Sequence, residues 1–219
     1  MKPLEDVFAE KKIYRTSDLS KMGFRRDDIQ QALAEGFLIR PVLIEKEGPV
    51  IGIVAAANVQ YAPEFDDCVI MEATGGIIAF QSAAMRHFIS TSIRNSVDVI
   101  LPYTILGNNN AISPTLNVVA HRSLHRASFE VGVEDRPTEL GVNIRITSPA
   151  RTIVDLLRNE KHSADDYRHG IYALNSYIEN GESLEELTDI ATAFHFDCRQ
   201  EIEQAQQRLE NTTSRGMGL

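Results

Sequence analysis

The side chains of this chain best suited to specific chemistry are guanidinium and carboxamide groups gathered near its N-terminus. Arg25 and Arg26 adjoin at the start of a helix-forming stretch, and Gln30 and Gln31 follow about one turn later. A guanidinium bonds O6 and N7 of guanine together, and a carboxamide does the same for N6 and N7 of adenine. Arg40 and Lys46 lie further on, where they would meet phosphates and set register without reading sequence. Asp27 and Asp28 oppose close phosphate approach, although acids in a first helical turn also favour the helix dipole. The alternative use of the same residues is a helix pair that only packs or dimerises.

Other constellations carry less. His121-x-x-x-His125 has a spacing that holds zinc on a helix, but no Glu follows the first His and no third ligand is evident, so no metal is expected. Asp66-Asp67 and Asp165-Asp166 are adjacent pairs whose members face apart on a helix, which reads as solvated surface. Gly75-Gly76 lacks the Lys-Ser/Thr of a phosphate loop. Ser82 sits on an apolar stretch with no base placed beside it and reads as a packing residue. Cys68 and Cys198 stand alone, without metal or disulfide spacing. No active site is assembled from these parts, so the chain reads as a non-enzyme without cofactor. The string Ser148-Pro149-Ala150-Arg151-Thr152-Ile153-Val154-Asp155 is different. Arg151 and Asp155 are four apart on a helix and can pair, either as a structural brace or as a partner contact.

The elements that position the N-terminal residues follow from apolar spacing and turn residues. Leu4, Val7 and Phe8 share one face of a helix over Pro3 to Lys11. Thr16 or Ser17 supplies an N-cap for a second helix through about Met22, which Gly23 ends. A third runs from about Arg25 to Ala34 with Ile29 and Leu33 inward. Two apolar β-prone runs, Phe37 to Ile44 and Pro49 to Val54, flank the turn Glu45-Lys46-Glu47-Gly48 as a hairpin. Three helices and a hairpin in about fifty residues predict a winged helix-turn-helix.

From Tyr61 the texture turns to α+β. Helices are expected over Glu64 to Ala73 and Ile77 to Phe88. Strands are expected at Val97 to Leu101, Leu116 to Ala120, Ser128 to Val133 and Val142 to Ile146, with a loop at Gly107 to Asn110. Ser148 caps a helix with Pro149 at its first position, and Ala164 to Glu210 reads as all-helical. The expected organisation is a winged helix over 1–58, an α+β body ending in helices over 59–210, and a flexible tail over 211–219.

Charge is uneven. The net charge of −9 argues against phosphate contact, but residues 1–46 carry nine basic and eight acidic groups, whereas residues 159–219 carry five and twelve. That distribution fits a DNA reader of modest affinity joined to an acidic body. No apolar run of membrane-spanning length exists, and the charged N-terminus lacks the pattern of a secretory signal, so the chain reads as cytoplasmic.

The Tyr14 to Arg40 segment, a Thr-Ser-x-Leu…Gly…Ile…Leu…Gly-x-Leu-x-Arg string, resembles the N-terminal winged helix of AbiEi-type antitoxins of abortive-infection (type IV) toxin–antitoxin systems. The patches Ala73 to His87 and Ile146 to Arg158 are similar to the same family, and together the resemblance spans roughly residues 12–158. It implies an operon repressor that binds promoter repeats in double-stranded DNA through the winged helix. It also implies a body that counteracts a nucleotidyltransferase-like toxin without an obligatory stable complex. Two other readings are compatible with the residues: a winged-helix regulator with no toxin partner, and a nucleic-acid-acting enzyme that uses the winged helix for targeting.

Overall fold

The N-terminal helices form where their apolar spacing predicts. Helix α1 (Leu4–Glu10) buries Phe8, and Pro3 precedes it without losing a helical hydrogen bond. A computed structural model of the chain describes residues 2–41, 52–90, 96–102, 118–122, 126–159 and 163–216. Strand β1 (Ile13–Arg15) follows, then α2 (Thr16–Lys21), α3 (Arg26–Ala34), β2 (Leu38–Ile39) and β3 (Ile53–Ala56). The three strands make an antiparallel sheet in the order β1-β3-β2. This sequence of elements is a winged helix, with α2 and α3 as the helix-turn-helix. Strand β2 pairs with β3 through Leu38 opposite Ala56 and Ile39 opposite Ala55. The tip of the expected hairpin, with Lys46, lies outside the described residues.

Two details differ from the sequence reading. Strand β1 is absent from that reading, because three residues between helices carry no periodicity; long-range pairing with β3 makes it a strand. The expected Thr16 or Ser17 cap is replaced by Arg15, which holds the position before α2 with extended φ and ψ. Thr16 already lies inside the helix, and its hydroxyl reaches the carbonyl of Gly52 at 3.4 Å.

The body is α+β as expected. After α4 (Phe65–Thr74), β4 (Ile77–Ile78) and α5 (Phe80–Arg86) come β5 (Val97–Leu101), β6 (Val118–Arg122), a short α6 (Arg126–Phe129), β7 (Val133–Pro137) and β8 (Asn143–Thr147). The five strands form a mixed sheet, β6-β5-β4-β8-β7. Helices α7 (Pro149–Arg158), α8 (Ala164–Glu179), α9 (Leu184–Ala193) and α10 (Arg199–Gly216) complete the chain. Helix α10 runs into the stretch read as a tail. The helix expected over Ile77 to Phe88 is instead a strand and then a helix, because Ile77 and Ile78 pair with Ile100 and Val99 of β5 while Ile78 also meets Ile146 of β8. The strand expected over Ser128 to Val133 is also displaced: α6 ends at Phe129 and β7 begins at Val133. Strand β7 lies on the edge of the sheet and carries Glu134, Asp135 and Arg136, so it shows no continuous apolar signal.

The strands β1 and β3 serve two cores at once. Tyr14, Val54 and Ala56 pack with Phe8, Leu19, Phe24, Ile29, Ala32 and Leu38 inside the winged helix. Ile13, Ile53 and Ala55 point the other way, into a core shared with Phe65, Cys68, Val69, Ile78, Val99 and Ile146. A second body core lies among α5, α7, α8, α9 and α10, around Ile153, Leu156, Leu157, Leu174, Tyr177 and Leu187. The winged helix is therefore seated on α4 and the large sheet by its own sheet. Polar contacts add to the seat: the Lys12 amide donates to Leu140 O at 2.8 Å, Lys11 pairs with Glu72 at 2.6 Å, and the Arg15 guanidinium donates to Glu72 O.

Gly141 is the closest approach in this joint. A Cβ there would stand 2.4 Å from Glu10 O and 2.9 Å from Lys11 Cα, and its φ of +70° disfavours any side chain. Gly181 has a similar φ of +73°, but a methyl group there would meet nothing within 4 Å. Gly181→Ala should therefore cost only the backbone strain, about 1–2 kcal/mol, and Gly141→Ala distinctly more, about 3 kcal/mol or above once the clash is added. Urea unfolding of both variants checks this; equal losses would remove the tight joint.

Candidate nucleic-acid interface

Helix α3 turns Ile29 and Ala32 into the winged-helix core, with Leu33 packed beside them. Residues advance 100° per position, so its opposite side carries Asp27, Gln30, Gln31 and Ala34, all exposed, with Arg26 on the flank. Arg25 precedes the helix. Its backbone N–H donates to Asp28 Oδ2 at 2.8 Å, and its guanidinium Nε lies 3.8 Å from the same oxygen with the side chain 85% exposed. The Asp28 carboxylate thus closes the first turn from inside, as acids there do. The Gln31 amide donates to Glu35 Oε1 at 2.8 Å. Arg40 is exposed where the chain leaves β2. Five of the six residues predicted to meet DNA, namely Arg25, Arg26, Gln30, Gln31 and Arg40, are thus exposed on the winged helix; Lys46 lies outside the described residues.

The Ser148 motif is a brace built from buried polar groups. The Ser148 hydroxyl accepts from the Arg151 amide at 3.2 Å and caps α7. Arg151 Nε meets Asp155 Oδ2 at 2.6 Å, both side chains about 5% exposed or less. The same guanidinium donates to Ser128 O at 3.0 Å and to Val131 O, fixing the turn before β7 to α7. Arg158 approaches Asp155 at 3.6 Å, and the Phe194 ring lies 4.2 Å from the Arg151 guanidinium and 4.6 Å from that of Arg158. Burial pushes the Asp155 carboxyl up, against the pull of the two guanidiniums. The Thr152 hydroxyl bonds both the hydroxyl of Thr147 (2.7 Å) and its carbonyl (3.2 Å), so Ser148, Arg151, Thr152 and Asp155 all face inward. Direct partner contact by this string is excluded by that burial.

Several polar groups escaped the sequence reading. Asp166, read as solvated, is buried: its carboxylate accepts from Gln81 at 2.5 Å and from Asn159 at 2.7 Å. Asp67, also read as solvated, pairs with Arg86. His121 lies on a strand, with Nε2 2.9 Å from Asp98 Oδ1 and its ring stacked on Phe80 at 4.0 Å; its spacing partner His125 lies outside the described residues. Ser82 bonds the other Asp98 oxygen at 3.2 Å and accepts from the Asp98 amide at 2.8 Å. The carboxylate stands between serine and imidazole, so the histidine cannot take the serine proton. That order is a structural anchor for α5 on β5, not an activated nucleophile. Among the described residues no group of His, Cys, Asp and Glu is arranged to hold a metal.

His87 has a defined proton. Thr147 O can only accept, so Nε2, 2.7 Å away, carries the hydrogen, and Nδ1 accepts from Arg136 Nη2 at 2.9 Å. Partial burial lowers its pKa below the ordinary 6.5, and Arg136 pushes the same way.

No family model matches the chain, and no curated protein matches it. Among solved structures the chain is similar to the crystal structure of the RV2827C protein from Mycobacterium tuberculosis, at 16% identity and a TM-score of 0.50. The likeness covers 83% of this chain and 66% of that one, so this chain spans just under two thirds of its relative's length. At that identity the likeness shows a shared α+β fold.

Two expectations follow. Arg151→Ala strands a buried carboxylate and should cost about 3–5 kcal/mol, whereas Arg151→Met with Asp155→Leu should recover most of the loss; urea denaturation of both variants reads the difference. For His87 the folded state stays neutral where the unfolded chain binds a proton. Its share of stability is therefore complete above pH 6.5 and is lost as pH falls below that value. His87→Gln should flatten the fall in unfolding free energy between about pH 7 and 5, and an unchanged slope would remove His87 as the cause.

Proposed function

We propose that this chain is the DNA-binding antitoxin of a type IV (abortive-infection) toxin–antitoxin pair, a cytoplasmic non-enzyme that represses its own operon. The observation that carries the DNA half is the exposed face of α3 on a winged helix, with Arg25 and Arg26 at its start. In this reading α3 enters a major groove and Gln30 and Gln31 reach adenine edges. Arg25, Arg26 and Arg40 meet phosphates or guanine, and Lys46 on the wing contacts the backbone. The near-balanced charge of residues 1–46 supports an affinity that depends on few ionic contacts and on a second copy binding a neighbouring promoter repeat. The acidic helices from residue 159 onward belong to the body that, by the family resemblance, counteracts a nucleotidyltransferase-like toxin. Among the described residues no helix is long and apolar enough to cross a membrane.

Binding of the full chain to its own upstream region should fall steeply with salt. Arg25→Ala with Arg26→Ala should reduce the slope of log K against log salt by about two, since each lost phosphate contact removes about one. Equal affinity for the upstream region and a random duplex would sink the repressor reading. Co-expression with the product of a neighbouring nucleotidyltransferase-like gene tests the other half. Restored growth is expected, and failure to restore it leaves a regulator without a toxin partner.

A further inference from the structure

Beside strand β2 lies a cleft that belongs partly to the winged helix and partly to the segment leading into the body. Strand β2 is the edge of its sheet. After β3 the chain makes one short turn, Ala57–Val59, held where the Ala57 amide donates to Phe37 O at 3.1 Å. It then brings Gln60 and Tyr61 to the cleft that Ile39 and Arg40 line from β2. The cleft has a volume of about 640 Å³, and Pro63 and Phe65 also line it. Arg40, Gln60 and Tyr61 are all exposed, Tyr61 to 90%. All three side chains carry hydrogen-bond donors, and none of these donors is bonded to another described residue. Asp66, the one acid among the lining residues, is half-buried on α4 and engaged within the chain.

On the assumption that the DNA-binding reading above is right, Arg40 already meets DNA, and the cleft continues that contact. Most hydrogen bonds from proteins to DNA end on phosphate oxygens and sugars, and tyrosine hydroxyls and glutamine amides make them as arginine does. A neutral donor adds a phosphate contact without adding charge, which suits a segment whose acids and bases nearly balance. A cleft of this size takes a sugar–phosphate unit rather than a bare ion. We infer that Gln60 and Tyr61 are phosphate-binding residues that share one stretch of DNA backbone with Arg40. The DNA interface therefore extends past the winged helix into the segment that leads to α4. One phosphate accepts from the Tyr61 hydroxyl and the Arg40 guanidinium together, and the Gln60 amide donates to the same phosphate or the next. These contacts read no sequence; they fix how the duplex lies against the body.

The test is equilibrium binding of the full chain to its own upstream region and to a random duplex, each measured against salt. Tyr61→Phe deletes only the hydroxyl of an exposed ring. It should weaken binding about 3- to 30-fold with the salt slope unchanged, because no cation is lost. Gln60→Ala should act in the same way, by about 2- to 10-fold. Arg40→Ala should instead lower the slope by about one. Combined with Tyr61→Phe, its loss should fall short of the product of the two single losses, since both groups hold one phosphate. The losses should be equal on the two duplexes, because a phosphate contact is blind to sequence. A methylphosphonate, which removes the charge of one phosphate, should weaken wild type at a backbone position where it leaves the Arg40→Ala/Tyr61→Phe variant unaffected. Unchanged affinity in both Tyr61→Phe and Gln60→Ala overturns the inference and leaves DNA binding standing. A dimer that dissociates in those variants at unaltered DNA affinity does the same, and gives the cleft to a second copy of the chain. If wild type retains no duplex even at low salt, the DNA-binding reading itself fails.

Discussion

The structure depends on a small antiparallel sheet being buried on both faces. In a strand, successive side chains point to opposite sides, so four residues of β3 can belong to two cores: Ile53 and Ala55 to the body, Val54 and Ala56 to the winged helix. Strand β1 repeats the division with Ile13 and Tyr14. No flexible joint can sit between two cores that share the same strands, because separating them would expose apolar side chains and break the ladder. Helix α3 therefore has a fixed orientation relative to α4 and the five-stranded sheet. The contacts of Lys11, Lys12 and Arg15 with Glu72 and Leu140 sit on the rim of that seat and add direction to it.

A second constraint orders the helical half of the body. Helices pack with little directional preference when their faces are purely apolar, and buried polar pairs restrict the choice of partner. Arg151 ties α7 to the turn before β7 and shares Phe194 with Arg158, so the loop after α9 is located by two guanidiniums. Gln81 and Asp166 link α5 to α8, and Ser82 and Asp98 link α5 to β5. Each is satisfied by hydrogen bonds, which is the condition for tolerating polar groups at such depth. Helix α5 thereby becomes the hub on which sheet and helices meet, although its sequence, Phe80 to Arg86, reads as an ordinary apolar stretch.

For a DNA-binding role this arrangement has a consequence. A winged helix on a long linker would report nothing of what happens in the body. One seated on α4 through a shared core moves only if the body moves, so a change that repacks α4 or the large sheet is felt at α3. The near-neutral N-terminal segment points the same way as the face of α3, where amide and carboxylate groups outnumber cations.

Much of this was legible in the sequence. The three N-terminal helices, the exit of α2 at Gly23 and the pairing of β2 with β3 follow from spacing and the β-prone runs, because they are local patterns, whereas the start of α2 falls one residue earlier than its hydroxyl residues suggest. The Ser148 cap and the pairing of Arg151 with Asp155 follow from fixed offsets on one helix. A buried Asp166 could also have been found: Gly170, Ala173, Leu174 and Tyr177 continue the helical stripe on which it lies. The remainder was decided by tertiary structure. Ile13 to Arg15 and Ile77-Ile78 are too short to declare themselves as strands, and they become strands because partners distant in sequence complete their hydrogen bonds. The edge strand β7 carries charge where a pattern search expects apolar residues. Nothing in the order of residues places Asp98 between Ser82 and His121, or Glu10 against Gly141. Those contacts exist because helices and cores close on both sheets, and closure is a property of the whole chain.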